Sequence, residues 1–255
     1  MKSRLKRYSP LVLPVAFIVF YFLLSGMIFS FGFDSIVSSI LTNIIVSVLG
    51  CFYVRRFFVN DCRPVNAGMV VFSIVFLFFI WLFSQITVTW ILNHIRDVQF
   101  EQYQSIVEGN PIGYLFLALI FAPIAEEILY RGMLFNSLCR VFSSGVAYFV
   151  SAFVFAIMHG TIVHMVIGFV CGIMLALVYH YTGKLWMSIV VHMIYNSLSL
   201  FATSIIVPDL FFDPYVFITV DMLLILVLIF GCWRVRSMEQ HFVDNAGDMS
   251  CDRVS

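Results

Sequence analysis

Charged residues are scarce in this chain. Its 255 residues include 14 Lys and Arg and 14 Asp and Glu, 11% in all, where soluble globular proteins carry roughly 25%. The two signs cancel, so the sequence offers neither a basic footprint for nucleic acid nor an acidic or basic tail. No C-x-x-C pair occurs among Cys51, Cys62, Cys139, Cys171, Cys232 and Cys251, which argues against a cysteine metal site. The polar and apolar alternation of outer-membrane strands is missing, as are internal repeats and low-complexity tracts. What remains is apolar, with 62% hydrophobic residues and 29 Phe. Such a chain divides into stretches of about 20 residues, the length that crosses a bilayer, and not into soluble domains.

Eight stretches are legible, at about residues 10–32, 35–54, 69–92, 112–135, 142–161, 163–181, 185–206 and 215–233. Lipid leaves backbone N–H and C=O groups no partner outside a helix or a closed barrel, so the expected fold is an all-α, polytopic transmembrane bundle. Only Gly160 and its polar neighbours part the fifth and sixth stretches, which suggests a tight hairpin. Lys and Arg collect in cytosolic loops. With the N-terminus in the cytosol, Lys2, Arg4, Lys6, Arg7, Arg55, Arg56, Arg63, Arg140, Lys184, Arg234, Arg236 and Arg253 all fall inside, leaving Arg96 outside and Arg131 within a span. An odd number of spans would scatter them. Both termini are therefore expected in the cytosol, in a multi-pass protein of the plasma (cytoplasmic) membrane. The same orientation puts every cysteine except Cys171, which lies in the sixth span, on the reducing face, so disulfides are not expected. The basic start resembles a signal peptide, but the apolar run behind it is over 20 residues long and lacks a small-x-small cleavage site; it reads as a retained span. Residues 1–111 read as a three-span scaffold with little polar beyond Asn43 and Gln85, 112–206 as the core, 207–236 as the last span and 237–255 as a mobile cytosolic tail.

Ionisable side chains inside spans are costly and by default mark a functional site. They concentrate in the core, as Glu126, Glu127, Arg131, His159, His164, His180, His192 and Asn196. Glu127 and Arg131 stand four apart with the acid first, the order that favours an ion pair on one helix face. Glu126, about 100° round the helix, must then point elsewhere, into a cavity. His192 and Asn196 also stand four apart, about 12 and 18 Å along the helix from Lys184, near the depth of Glu126. A carboxylate to activate water, an imidazole to hold it and two donors for an oxyanion make a hydrolytic site that needs no covalent nucleophile. Neither H-E-x-x-H nor G-x-S-x-G occurs. Zinc on Glu126, His159 and His192 is the alternative, since His₂Glu is a known catalytic set, but it leaves Asn196 idle, so the cofactor-free version is preferred. His164 and His180 read as loop-proximal and interfacial residues, and Asp221 in the last span finds no role.

Glu126-Glu127-x-x-x-Arg131, Phe155-x-x-x-His159 and His192-x-x-x-Asn196 together resemble the E-E-x-x-x-R, F-x-x-x-H and H-x-x-x-N motifs of the CPBP family, the CAAX proteases and bacteriocin-processing enzymes also called Abi. The resemblance covers about residues 112–200. It implies an intramembrane endopeptidase with a cavity reached from the cytosol and from lipid. Glu126 would activate water with help from His159, His192 and Asn196 would form the oxyanion hole, Glu127 and Arg131 would be a structural pair, and Phe155 would line or support the site. Expected partners are membrane lipids and a peptide or membrane-protein substrate, lipidated in the CAAX-processing branch, with no nucleic acid. A non-catalytic immunity or binding protein that keeps the same site is the alternative.

Overall fold

The computed structural model describes residues 2–57 and 67–202, and, beyond these, residues 213, 215, 216, 218, 219, 221–223, 225, 226, 229, 230 and 233. Helices α1 (Lys2–Ser30), α2 (Ser35–Phe57), α3 (Ala67–His94), α4 (Val98–Gly109), α5 (Pro111–Cys139), α6 (Ser144–Ile157), α7 (Ile162–Thr182) and α8 (Leu185–Ala202) follow in order. No strand occurs among the described residues. Among the described residues, five helices are long and apolar enough to cross a membrane: α1, α2, α3, α5 and α7. The fifth expected span is a helix of only 14 residues, α6, about 21 Å long against a hydrocarbon core of about 30 Å. The last expected span is helical at those of its positions that are described, Asp221 being half-buried among them. Residues 58–66 and 237–255, with the expected tail, lie outside the described residues.

Local chemistry sets the helix ends. The Asp34 carboxylate accepts from Val37 N at 2.8 Å and starts α2; Asn110 accepts from Gly113 N at 3.0 Å, with Pro111 at the first position of α5, where a missing N–H costs nothing. Thr161 starts α7 and Gly183, at φ 65°, ends it, a left-handed conformation that glycine adopts without a steric penalty. α6 and α7 form the expected hairpin and pack closely along their length. A Cβ on Gly172 would lie 3.0 Å from both Cα and Cβ of Ala152, so small residues let the two backbones approach, as in other membrane helix pairs.

α4 was not foreseen. It lies in the expected outer loop and has no buried residue, so packing alone does not hold it. Asp97 does: its Oδ1 accepts from Phe100 N at 3.1 Å at the start of α4, and its Oδ2 accepts from Val163 N at 3.1 Å at the start of α7. One carboxylate caps two helices. Burial alone would raise the Asp97 carboxyl, but the N–H groups of Val163, Phe100 and Ile162 together hold it below the usual carboxylate range. Replacing Asp97 with Ala is expected to cost about 1 kcal/mol per lost cap, read as a lower melting temperature in detergent. Because the folded pKa is depressed, this contribution is present above the unfolded value, about 3.9, and is lost as pH falls through the folded one. The gap between wild type and Asp97→Ala should therefore be constant near neutrality and close in acid.

Candidate active site

The site is built on α5, which is not a uniform α-helix. Two wide π segments, Leu117–Phe121 and Glu127–Phe135, flank a short α stretch, Ala122–Glu126. Pro123 accounts for the first, since its ring clashes with the carbonyl four residues back and offers it no N–H; a wider turn relieves both. Such insertions concentrate at functional sites.

The two adjacent glutamates separate as their angular offset requires. Glu127 is completely buried, while the Glu126 side chain keeps 25% of its surface open. Glu127 is the most heavily partnered carboxylate here: Arg131 Nη1 lies 2.9 Å from its Oε1, Ser188 Oγ donates to its Oε2 at 2.8 Å, and His192 Nδ1 lies 3.0 Å from Oε1. Arg131 Nη2 donates to the Gly172 carbonyl at 3.1 Å, and the guanidinium sits 4.6 Å over the Phe155 ring. Neither Nε nor Nη1 of Arg131 makes a hydrogen bond of good geometry, so the pair is held by charge and by the aromatic face. Phe155, itself buried, also meets His159 edge-on at 4.7 Å and His192 at 5.9 Å. It is a plate against which three site residues are packed.

Hydrogen bonds fix the histidine tautomers. His159 Nδ1 lies 2.8 Å from the Phe155 carbonyl, which can only accept, so Nδ1 donates and the neutral ring keeps an unprotonated Nε2. His192 Nδ1 donates to the Glu127 carboxylate by the same logic, and its Nε2 lies 3.7 Å from Glu126 Oε2. Asn196 Nδ2 donates to the Ala118 carbonyl, in the first wide turn of α5, at 2.8 Å, which leaves its second N–H for another acceptor.

Glu126, His159, His192 and Asn196 all line one cavity of about 520 Å³, so the structure brings together residues from α5, the α6–α7 turn and α8. Glu127, Arg131 and Phe155 lie behind it. Among the described residues, no three His, Cys, Asp or Glu side chains form a group that could hold a metal ion.

Four residues were missed. Ser188 precedes His192 by four and continues the polar stripe through Asn196, a spacing visible in the sequence. His164 is no bystander at a loop: it lines the cavity, its Nδ1 is 2.8 Å from Thr161 Oγ1, and its ring packs on Tyr103 of α4 at 4.8 Å. Tyr103 hydrogen-bonds Tyr114 through the hydroxyls; burial pushes its hydroxyl well above the ordinary range. Ser84 of α3, a helix assigned to the scaffold, lines the cavity and accepts from the Tyr195 hydroxyl at 2.8 Å. His180 is remote from all of these and meets the Tyr148 hydroxyl and the Phe135 ring.

Replacing Arg131 with Ala would leave Glu127 buried and without its counter-charge, a loss of about 3–5 kcal/mol. The expected result is a collapse in the yield of monodisperse protein. A double change, Glu127→Leu with Arg131→Met, should restore much of that yield, because an apolar pair of similar volume removes the buried charge altogether. The check is size-exclusion chromatography of both variants beside wild type.

Residues 108–198, somewhat over a third of the chain, match the family model for type II CAAX prenyl endopeptidase Rce1-like proteins. The matched stretch contains every motif residue from Glu126 to Asn196. No curated protein and no solved structure matches the chain at a significant level. With its three motifs gathered in that one stretch, the match supports a CAAX protease-like reading of this core, which is similar to type II CAAX prenyl endopeptidases.

Proposed function

We propose that the chain is an intramembrane endopeptidase of the cytoplasmic membrane that hydrolyses a peptide bond with a water activated by Glu126, without a metal. The observation that carries this reading is the 3.7 Å separation of Glu126 Oε2 and His192 Nε2 inside the cavity. A water about 2.8 Å from each group would touch both. Glu126 acts as base and takes a proton as the water attacks the carbonyl carbon; His159, with a free Nε2, accepts the water's other hydrogen and orients it.

The oxyanion then needs donors. Asn196 supplies its second N–H, the first being anchored on Ala118. His192 supplies Nε2–H only if the ring carries both protons, because Nδ1 is committed to Glu127. The working form of His192 is thus the imidazolium, and Glu127 is its counter-ion. The adjacent glutamates divide the work: one exchanges a proton, and the other keeps its charge. Proton return from Glu126 to the leaving amine completes the cycle, as in other general acid and base hydrolyses.

Glu126→Gln should lower cleavage of a quenched peptide by about 10²–10⁴-fold while leaving yield and melting temperature near wild type, and a chelator should leave wild-type activity intact. Asn196→Ala should lower kcat by about 10²–10³-fold. Full activity of Glu126→Gln in purified protein rules the assignment out, and loss of wild-type activity in chelator rules out the metal-free form.

A further inference from the structure

The two ends of the bundle differ in charge. At one end, Tyr8 of α1 meets Phe142, which follows α5, at 6.2 Å between rings. A Cβ on Gly132 of α5 would lie 2.9 Å from Val54 of α2 and 3.4 Å from Leu185 of α8, and Phe72 of α3 meets Tyr181 of α7 at 5.1 Å. These contacts gather the start of α1, the end of α2, the start of α3, the end of α5 and the α7–α8 turn. That end carries Arg55, Arg56, Arg140 and Lys184. The other end, with the α1–α2 turn, α4 and the α6–α7 turn, carries Asp34, Asp97, Glu101 and Glu108, its one arginine, Arg96, being paired to Glu101 at 3.1 Å.

The cavity belongs to the acidic end. Its wall is made by Ser84 and Val88 near the end of α3, by Phe100, Tyr103 and Glu108 of α4, and by the outer turns of α5, α7 and α8. Among the described residues, nothing from the basic end lines it, and the lining has no Lys or Arg. Basic residues stay in the cytosol during insertion, whereas acidic ones contribute little to orientation. We infer that the cavity opens on the non-cytosolic face and takes its substrate there, as a polypeptide segment that has already crossed the membrane or projects from it on that side. This is the reverse of the cytosolic access that the family resemblance implies. The substrate side of the inference rests on the hydrolytic reading above; the face itself does not.

The test separates the two. In a variant with all native cysteines replaced by Ala, Ser105→Cys on α4 and Ser143→Cys before α6, both exposed, are treated with a membrane-impermeant maleimide in intact bacterial spheroplasts. Labelling of Ser105→Cys from outside, with Ser143→Cys labelled only after permeabilisation, is expected. Labelling of Ser143→Cys from outside, or of Ser105→Cys only after permeabilisation, overturns the inference. A quenched peptide that purified protein cleaves is then added outside spheroplasts: cleavage by wild type and not by Glu126→Gln supports entry from that face, and failure of wild type to cleave it there overturns such entry. If purified protein cleaves no peptide, the hydrolytic reading falls, while the labelling still decides the face.

Discussion

The Glu127 carboxylate organises the site. It is fully enclosed, and three partners from two helices converge on it: Arg131 one turn along α5, and Ser188 and His192 on α8. A buried charge is tolerated only when its partners leave little of it unsatisfied. Arg131 carries the constraint onward to α7 through the Gly172 carbonyl and to α6 through the Phe155 ring. Four helices are therefore registered against one another by one acid and its base. Gly172 has a double part here: its missing side chain lets α7 approach Ala152 of α6, and its carbonyl accepts from Arg131 of α5.

This arrangement explains why two consecutive glutamates can behave oppositely in the same membrane. Their local backbone is nearly identical, with φ/ψ of −66°/−44° at Glu126 and −66°/−36° at Glu127, so the difference is one of direction. Glu127 points to the Arg131 guanidinium, the Ser188 hydroxyl and the His192 ring, which hold its charge. Glu126 points into the cavity, where part of its side chain stays open. The wide turns of α5 contribute on both sides: the first presents the Ala118 carbonyl to Asn196, and the second begins at Glu127 itself. Orientation of this kind is built into the fold itself, as preorganised polar sites require.

Much of this was legible because helix geometry turns sequence spacing into direction. The i, i+4 pairs Glu127 with Arg131 and His192 with Asn196 predicted shared faces, and the ion pair and the cavity positions follow from them. Ser188 obeys the same rule and was simply not counted. Other features left no such signal. His164 stands beside a glycine turn and looks peripheral until α4 folds over it, and α4 depends on a single Asp97 to two helix starts, a link across 66 positions of sequence. The π segments are likewise unreadable from hydropathy, which reports apolar length and not turn width; Pro123 was the one local clue. The shortness of α6 was hidden by its apolar neighbours, because residues that follow Ile157 are still compatible with a span by composition alone.

The cavity's open side obeys a different economy from its floor. The floor, around Glu127 and Phe155, is buried and locked by charge. The roof, α4, has no buried residue and is held by polar bonds near its start and its middle: Asp97 to the N–H groups of Phe100 and Val163, and the Tyr103 hydroxyl to Tyr114. Segments with few buried apolar contacts open at lower free energy than packed ones, so α4 is the element that can yield without disturbing the floor. Its two anchors also tie it to α7 and α5, the helices that carry His164 and Glu126. The cavity's roof and floor thus meet on the same helices, but through bonds of very different stability, so the roof can move while the floor keeps its geometry.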